Sequence, residues 1–150
     1  MKTVIQRVKS ANVKVGGETI GAINKGLLIL IGVEPDDTEA EVNWIGDKIA
    51  NLRVFEDGEG KMNRSIFDIE GSVLIVSQFT LLADCRRGRR PAFTGAAEPK
   101  KANALYLKLV SVFQNLGIPT ETGQFGADME VSLINDGPVT LLVDRKADKG

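Results

Sequence analysis

Ser77, Gln78 and Thr80 bring three hydrogen-bonding side chains to one end of an otherwise apolar run from Val73 to Leu82. Polar groups are costly inside a buried strand unless something bonds them. The segment Ser77-Gln78-Phe79-Thr80-Leu81 is therefore either satisfied by a neighbouring loop or turned toward a ligand. A second unusual stretch, Asn135-Asp136-Gly137-Pro138-Val139-Thr140, sets a proline between two apolar strand-like segments. Proline cannot donate to a sheet ladder. Asp-Gly-Pro also makes ordinary turns, so a plain turn would explain this stretch equally well.

The chain contains no histidine, which restricts its chemistry more than any other count. Neither a Ser-His-Asp triad nor a Cys-His pair can be built from it. Zinc sites rich in histidine or cysteine are removed for the same reason, and only carboxylate sites for a hard metal remain. The acidic loop Glu56-Asp57-Gly58-Glu59-Gly60 lacks the spacing of an EF-hand and reads as a hairpin turn. No metal and no cofactor is expected. Cys85 is the single cysteine, so it has no intrachain disulfide partner, in keeping with a reducing compartment. It sits beside four arginines, but with no imidazole to pair with it a catalytic role is not expected.

The elements that must position these residues follow from periodicity. Thr3 to Val8, Asn12 to Val15 and Leu27 to Val33 read as strands, with Gly16-Gly17 favouring a hairpin. Thr38 and Glu41 form a capping-box pattern, and Val42, Ile45, Ile49 and Leu52 recur at helical spacing, which predicts a helix over 39–51. Arg53 to Phe55 and Val73 to Leu82 return to strand. In a regular strand Gln78 and Thr80 would share one face, with Ser77 and Phe79 on the other. Pro99 suits a first helical turn, and Ala102, Leu105, Tyr106, Leu109, Val112, Phe113 and Leu116 make one apolar stripe that ends at Gly117 and Pro119. That stripe is core packing. Val131 to Ile134 and Val139 to Val143 supply two more strands, and 146–150 reads as a frayed tail.

A chain of 150 residues, 43% hydrophobic and 26% charged, is expected to form a single soluble domain over 1–150. Its start lacks a signal-peptide core and no run approaches membrane-spanning length, so no membrane role and a cytoplasmic location are expected. The net charge of −1 argues against coating nucleic acid with a broad basic face. Any contact with RNA should be local. The concentrated positive stretch is Arg86-Arg87-Gly88-Arg89-Arg90, which is either a solvated loop or a contact to a few phosphates.

Four segments, taken in order, resemble one known family: Val4-Ile5-Gln6-Arg7-Val8, Ser77-Gln78-Phe79-Thr80-Leu81, Gly123-Gln124-Phe125-Gly126-Ala127-Asp128-Met129, and Asn135-Asp136-Gly137-Pro138-Val139-Thr140. The second and fourth are similar to the SQFTL and NxGPVT motifs of the D-aminoacyl-tRNA deacylases, the D-tyrosyl-tRNA deacylase family. The resemblance implies an α/β fold, a largely antiparallel barrel-like sheet with two helices, assembled as a homodimer. It also implies hydrolysis of the ester joining a D-amino acid, and by extension glycine, to the terminal ribose of tRNA.

The same resemblance suggests roles for particular residues. Main-chain N–H groups of Phe79 and Thr80 would face the scissile carbonyl, while Ser77 and Gln78 seat the ribose and the attacking water. Thr80 could instead act as nucleophile, but neither histidine nor an N-terminal amine is at hand to activate it, so a passive Thr80 is favoured. Gly137 and Pro138, joined by a cis bond, would enter the partner subunit's site, bind the substrate ammonium and obstruct an L side chain. Arg7 would support that loop by donating to carbonyls. Phe125 and Met129 would line the adenine pocket or else belong to the core. Ala92 stands where many relatives carry a polar residue, so it is given no side-chain role. The rival readings are a non-catalytic dimer that binds aminoacylated RNA ends, an editing module working with a synthetase, and a hydrolase of other D-amino-acid esters.

Overall fold

Gly16 and Gly17, at φ 56° and 82°, turn the chain from β1 (Lys2–Val15) into β2 (Glu18–Ile23), a conformation that glycine adopts without steric cost. In the computed structural model of the protein, which describes residues 1–148, β3 (Gly26–Gly32) continues along the same edge of β1. Ala11 faces Ile23 and Lys2 faces Gly32 in one register, so residues 2–32 form a single long hairpin. The segments expected at 3–8 and 12–15 are therefore one strand. Its buried side chains change phase along the way, from Thr3, Ile5 and Arg7 to Val8, Ala11 and Val13.

The other edge of β1 carries β8 (Glu130–Asp144), again continuous where two strands were expected. The remaining pairings depart from a purely antiparallel plan. β3 pairs in parallel with β6 (Ser72–Ser77), and β6 in parallel with β7 (Thr120–Thr122), a short strand that periodicity does not reveal. Parallel neighbours need crossover connections, which α1 (Glu39–Asn51) and α2 (Pro99–Asn115) provide. The sheet is thus antiparallel around β1 and parallel beyond β3.

Strands with helices on one side and sheet interior on the other should be apolar on both faces, and β3 and β6 are. Leu27, Ile29, Ile31, Val73 and Ile75 join the core beneath the helices, with Val42, Ile45 and Ile49 from α1 and Leu105, Leu109 and Phe113 from α2. Leu28, Leu74 and Val76 point the other way, into a smaller core with Val8, Ala11, Val13 and Ile23. The smaller core is the inside of the curled sheet. Its two ends come back together: a Cβ on Gly21 of β2 would stand 2.5 Å from the Thr122 carbonyl oxygen of β7. Only a residue without a side chain permits that approach, and the result is a nearly closed barrel.

Local chemistry sets the boundaries. The Thr38 hydroxyl accepts from the Ala40 N–H at 3.2 Å, and Glu41 Oε2 accepts from the Thr38 N–H at 2.6 Å, so the capping box starts α1 as expected. The acidic loop is the turn between β4 (Phe55–Glu56) and β5 (Met62–Arg64). Asp57 Oδ1 accepts from the N–H groups of Glu59 and Lys61 at 2.8 and 3.0 Å, which accounts for an acidic residue at this position. Lys146 pairs with Glu34 at 3.5 Å and the Arg145 N–H bonds to the Met1 carbonyl at 2.9 Å, so the expected tail begins tied down; its last residues, 149 and 150, lie outside the described residues.

Candidate active site

The run expected to remain strand as far as Leu82 stops at Ser77. The Gln78 N–H still bonds to the Ile31 carbonyl at 2.8 Å, and Phe79–Leu82 then winds into a 3-10 turn closed by Leu81 N–H to the Gln78 carbonyl. The alternation expected for a regular strand is lost here. Gln78 Nε2 instead donates to Thr80 Oγ1 at 3.0 Å. The first amides of a helical turn have no carbonyl within the turn to bond. Among the described residues, no partner is found for the N–H of Phe79 or of Thr80.

These residues border a cavity of about 460 Å³, within the usual range for small-molecule sites. Ser77, Gln78, Phe79 and Thr80 form one wall. Ala96, Ala97 and Pro99 at the start of α2 form another, and Phe125 through Met129 a third. Tyr106 packs behind Phe125, with ring centroids 6.2 Å apart, and donates to the Ile75 carbonyl at 3.0 Å. Burial pushes the Tyr106 phenol up, so the buried hydroxyl stays neutral at physiological pH and is occupied as a structural donor. Gly123 leaves room for Met129: a Cβ there would stand 2.7 Å from the Met129 sulfur.

The lining is mostly apolar. Asp128 is the one ionisable side chain among the described lining residues. Chemistry in such a site depends on fixed dipoles more than on titrating groups. Among the described residues no cluster of carboxylate or cysteine ligands could hold a metal ion.

Gly137 and Pro138 do not line this cavity. β8 pairs with β1 at Asn135 and again at Thr140, and residues 136–139 of the same strand bulge out between in a protruding loop, exposed at Gly137 and Pro138. The Gly137–Pro138 peptide is cis. Gly137 has φ +145°, and a Cβ on it would meet Val139 Cγ2 at 2.8 Å and Arg7 Nη2 at 3.2 Å, so only glycine fits.

The loop is held from two sides. Asn135 Oδ1 accepts from the Val139 N–H at 2.7 Å, and its Nδ2 donates to the Val139 carbonyl and Thr140 hydroxyl. Arg7, only 5% exposed, donates through Nε to the Asp136 carbonyl at 2.8 Å and through Nη1 to the Val54 carbonyl at 2.7 Å. A buried guanidinium so engaged fixes the base of the loop.

Within one chain the site residues read from the sequence therefore fall into two groups. Ser77, Gln78, Phe79, Thr80, Phe125 and Met129 surround the cavity, whereas Arg7, Gly137 and Pro138 make a separate protruding loop. Ala96, Ala97 and Phe93 were missed. Phe93 sets its ring edge against Phe79, with centroids 5.1 Å apart. Small residues ahead of a helix and a lone aromatic after a basic loop give little sequence signal.

Residues 4–144 match the family model described as D-Tyr-tRNA(Tyr) deacylase. The chain is 60% identical over 146 residues to a D-aminoacyl-tRNA deacylase of Desulfatibacillum aliphaticivorans, covering 97% of this chain and 100% of that one. It is 55% identical over 144 residues to the D-aminoacyl-tRNA deacylase of Thermotoga petrophila, covering 96% and 97%. Among solved structures, it is similar to a c-Myc DNA Unwinding Element Binding Protein, with TM-score 0.92 and 41% identity over 98% of this chain and all of that one. A probable eukaryotic D-amino acid tRNA deacylase shares the fold, with TM-score 0.82 at 17% identity over 96% and 98% of the chains.

Proposed function

The chain belongs to the D-Tyr-tRNA(Tyr) deacylase family, and from that premise we propose how its own residues remove a D-amino acid from tRNA. It is an aminoacyl-tRNA editing hydrolase that cleaves the ester of D-aminoacyl-tRNA to free amino acid and tRNA. The observation that carries the mechanism is the pair of N–H groups at Phe79 and Thr80 on the cavity wall, unbonded among the described residues. An activated ester needs little more than a fixed carbonyl, a placed water and donors for the oxyanion. The two amides receive the carbonyl oxygen as it gains charge, while Ser77 and Gln78 seat the ribose and the water. Phe125 and Met129 offer apolar surface to the terminal adenine.

Chirality requires a second copy of the chain. In this reading the protein is a homodimer, and the protruding Gly137–Pro138 loop of one copy enters the cavity of the other. The separation of the two residue groups within one chain supports this. So do the apolar side chains left exposed along β8, Ile134 at 57% and Leu142 at 74%. The loop's carbonyls bind the substrate ammonium, and its rigid backbone excludes an L side chain. The aminoacyl-tRNA substrate puts this work in the cytoplasm. Purified protein given D- and L-tyrosyl-tRNA should release D-tyrosine and leave the L-ester intact. Equal release of both enantiomers, or binding without release, overturns the reading.

A further inference from the structure

We propose that the loop between Asp84 and Ala92 is a phosphate clamp that grips the RNA backbone beside the ester, an inference that rests on the aminoacyl-tRNA reading. Asp84 and Ala92 close this loop through paired backbone bonds, Asp84 N–H to Ala92 carbonyl at 2.7 Å and Ala92 N–H to Asp84 carbonyl at 2.9 Å. Both of its roots lead to the cavity. On one side the 3-10 turn carrying Phe79 and Thr80 ends at Leu82, two residues before Asp84. On the other, Phe93 packs edge-on against Phe79, and Ala96 lines the cavity. The loop therefore stems from the Phe79 side of the cavity.

The charges of the loop are not satisfied from within. Asp84 binds Arg86 through two bonds of 2.9 Å, which fixes that guanidinium and holds the Asp84 carboxyl below the usual carboxylate range. Arg87, Arg89 and Arg90 are exposed, and no acceptor or carboxylate partner is found for them among the described residues. A protein of net charge −1 that gathers four arginines in five residues, on a loop rooted beside one wall of the cavity, concentrates its positive field there. Guanidinium groups suit phosphate oxygens bidentately, and such contacts set position without reading sequence. The ester in the cavity is the end of a polyanion, and the first phosphates behind it must pass the rim.

The test compares Arg87→Glu/Arg89→Glu/Arg90→Glu with the wild-type protein on D-tyrosyl-tRNA and on D-tyrosyl-adenosine, which carries the same ester and no phosphate. The variant should lose at least tenfold in kcat/KM on the tRNA ester at low salt and keep its activity on the adenosine ester. For three phosphate contacts the wild-type value should fall roughly 20- to 40-fold between 50 and 200 mM salt, and the variant should lose most of that dependence. Lysine at the same three positions should retain it in large part. Equal losses on both esters would mean that the loop shapes the cavity, and no loss on either would mean that it is only solvated; both overturn the clamp. If wild-type protein hydrolyses neither ester, the deacylase reading fails, and binding of uncharged tRNA decides the clamp: affinity lost in the variant supports it, and unchanged affinity overturns it.

Discussion

The Thr80 hydroxyl accepts a hydrogen bond from Gln78 Nε2 at 3.0 Å, and an amide donor does nothing to raise the nucleophilicity of an alcohol. With no histidine in the chain, its proton has no imidazole to go to. In the proposed mechanism position 80 contributes its backbone N–H, which a side-chain substitution leaves in place. Thr80→Ala should therefore keep its rate on D-tyrosyl-tRNA within about tenfold of wild type. A loss of ~10²–10³, as when an oxyanion donor is deleted, would instead assign the hydroxyl to the mechanism. Arg7 would act one step removed in that mechanism, since it bonds to the Asp136 and Val54 carbonyls and pairs with the Glu56 and Asp136 carboxylates, and does not line the cavity.

At the scale of elements, the loop within β8 and the start of α1 make separate predictions. If the Gly137–Pro138 backbone rejects L-amino acids by collision alone, glycine presents nothing to reject, and glycyl-tRNA should be hydrolysed alongside the D-alanyl ester. Recognition of the D side chain by attraction would instead penalise glycine by ~1–3 kcal/mol. Comparing kcat/KM for D-alanyl, glycyl and L-alanyl esters of one tRNA decides this; glycine grouped with the L-ester rules out exclusion.

The capping box of α1 bears on stability. Thr38→Ala should cost about 1 kcal/mol in denaturant unfolding. The hydrogen bond from the Thr38 hydroxyl, opposed by burial, holds the Glu41 carboxyl below its ordinary value of 4.5. A depressed folded-state value gives stability that is present in full above pH 4.5 and lost as pH falls through the lower folded value. Melting temperature should therefore drop on acidification below that point. The drop should be shallower in Thr38→Ala, which begins from a lower plateau; identical slopes would show that the box does not couple to Glu41.

For the whole molecule the proposed homodimer makes a prediction of its own, because in that reading the cavity of one copy is completed by the Gly137–Pro138 loop of the other. Mixing a Gly137/Pro138 double mutant with a Ser77/Gln78/Phe79 triple mutant should restore part of the activity, since each hybrid dimer contains one intact cavity facing one intact loop. Mixtures that form heterodimers and stay inactive would refute a site completed across the interface. The edge of β8 that pairs with no strand among the described residues, with Ile134 and Leu142 exposed along it, is the surface such a dimer would cover.

Much of this protein is decided within short windows of sequence. The period of Val42, Ile45 and Ile49, with Thr38 and Glu41 ahead of it, specifies α1 because side chains three and four apart share a helix face and the cap satisfies its first donors. The absence of histidine and the motif residues limit the chemistry in the same local way. What tertiary structure decides is everything that depends on distant partners. The parallel pairing of β3 with β6, the three-residue β7 and the curl that brings Gly21 against Thr122 arise from contacts between residues tens of positions apart, with no periodic trace in any one segment. The end of β6 at Ser77 belongs here too, because an apolar run through Leu82 serves a strand and a 3-10 turn equally well. That turn leaves two amides without partners among the described residues and makes the cavity wall, so the motif was visible in the sequence while its arrangement required the fold.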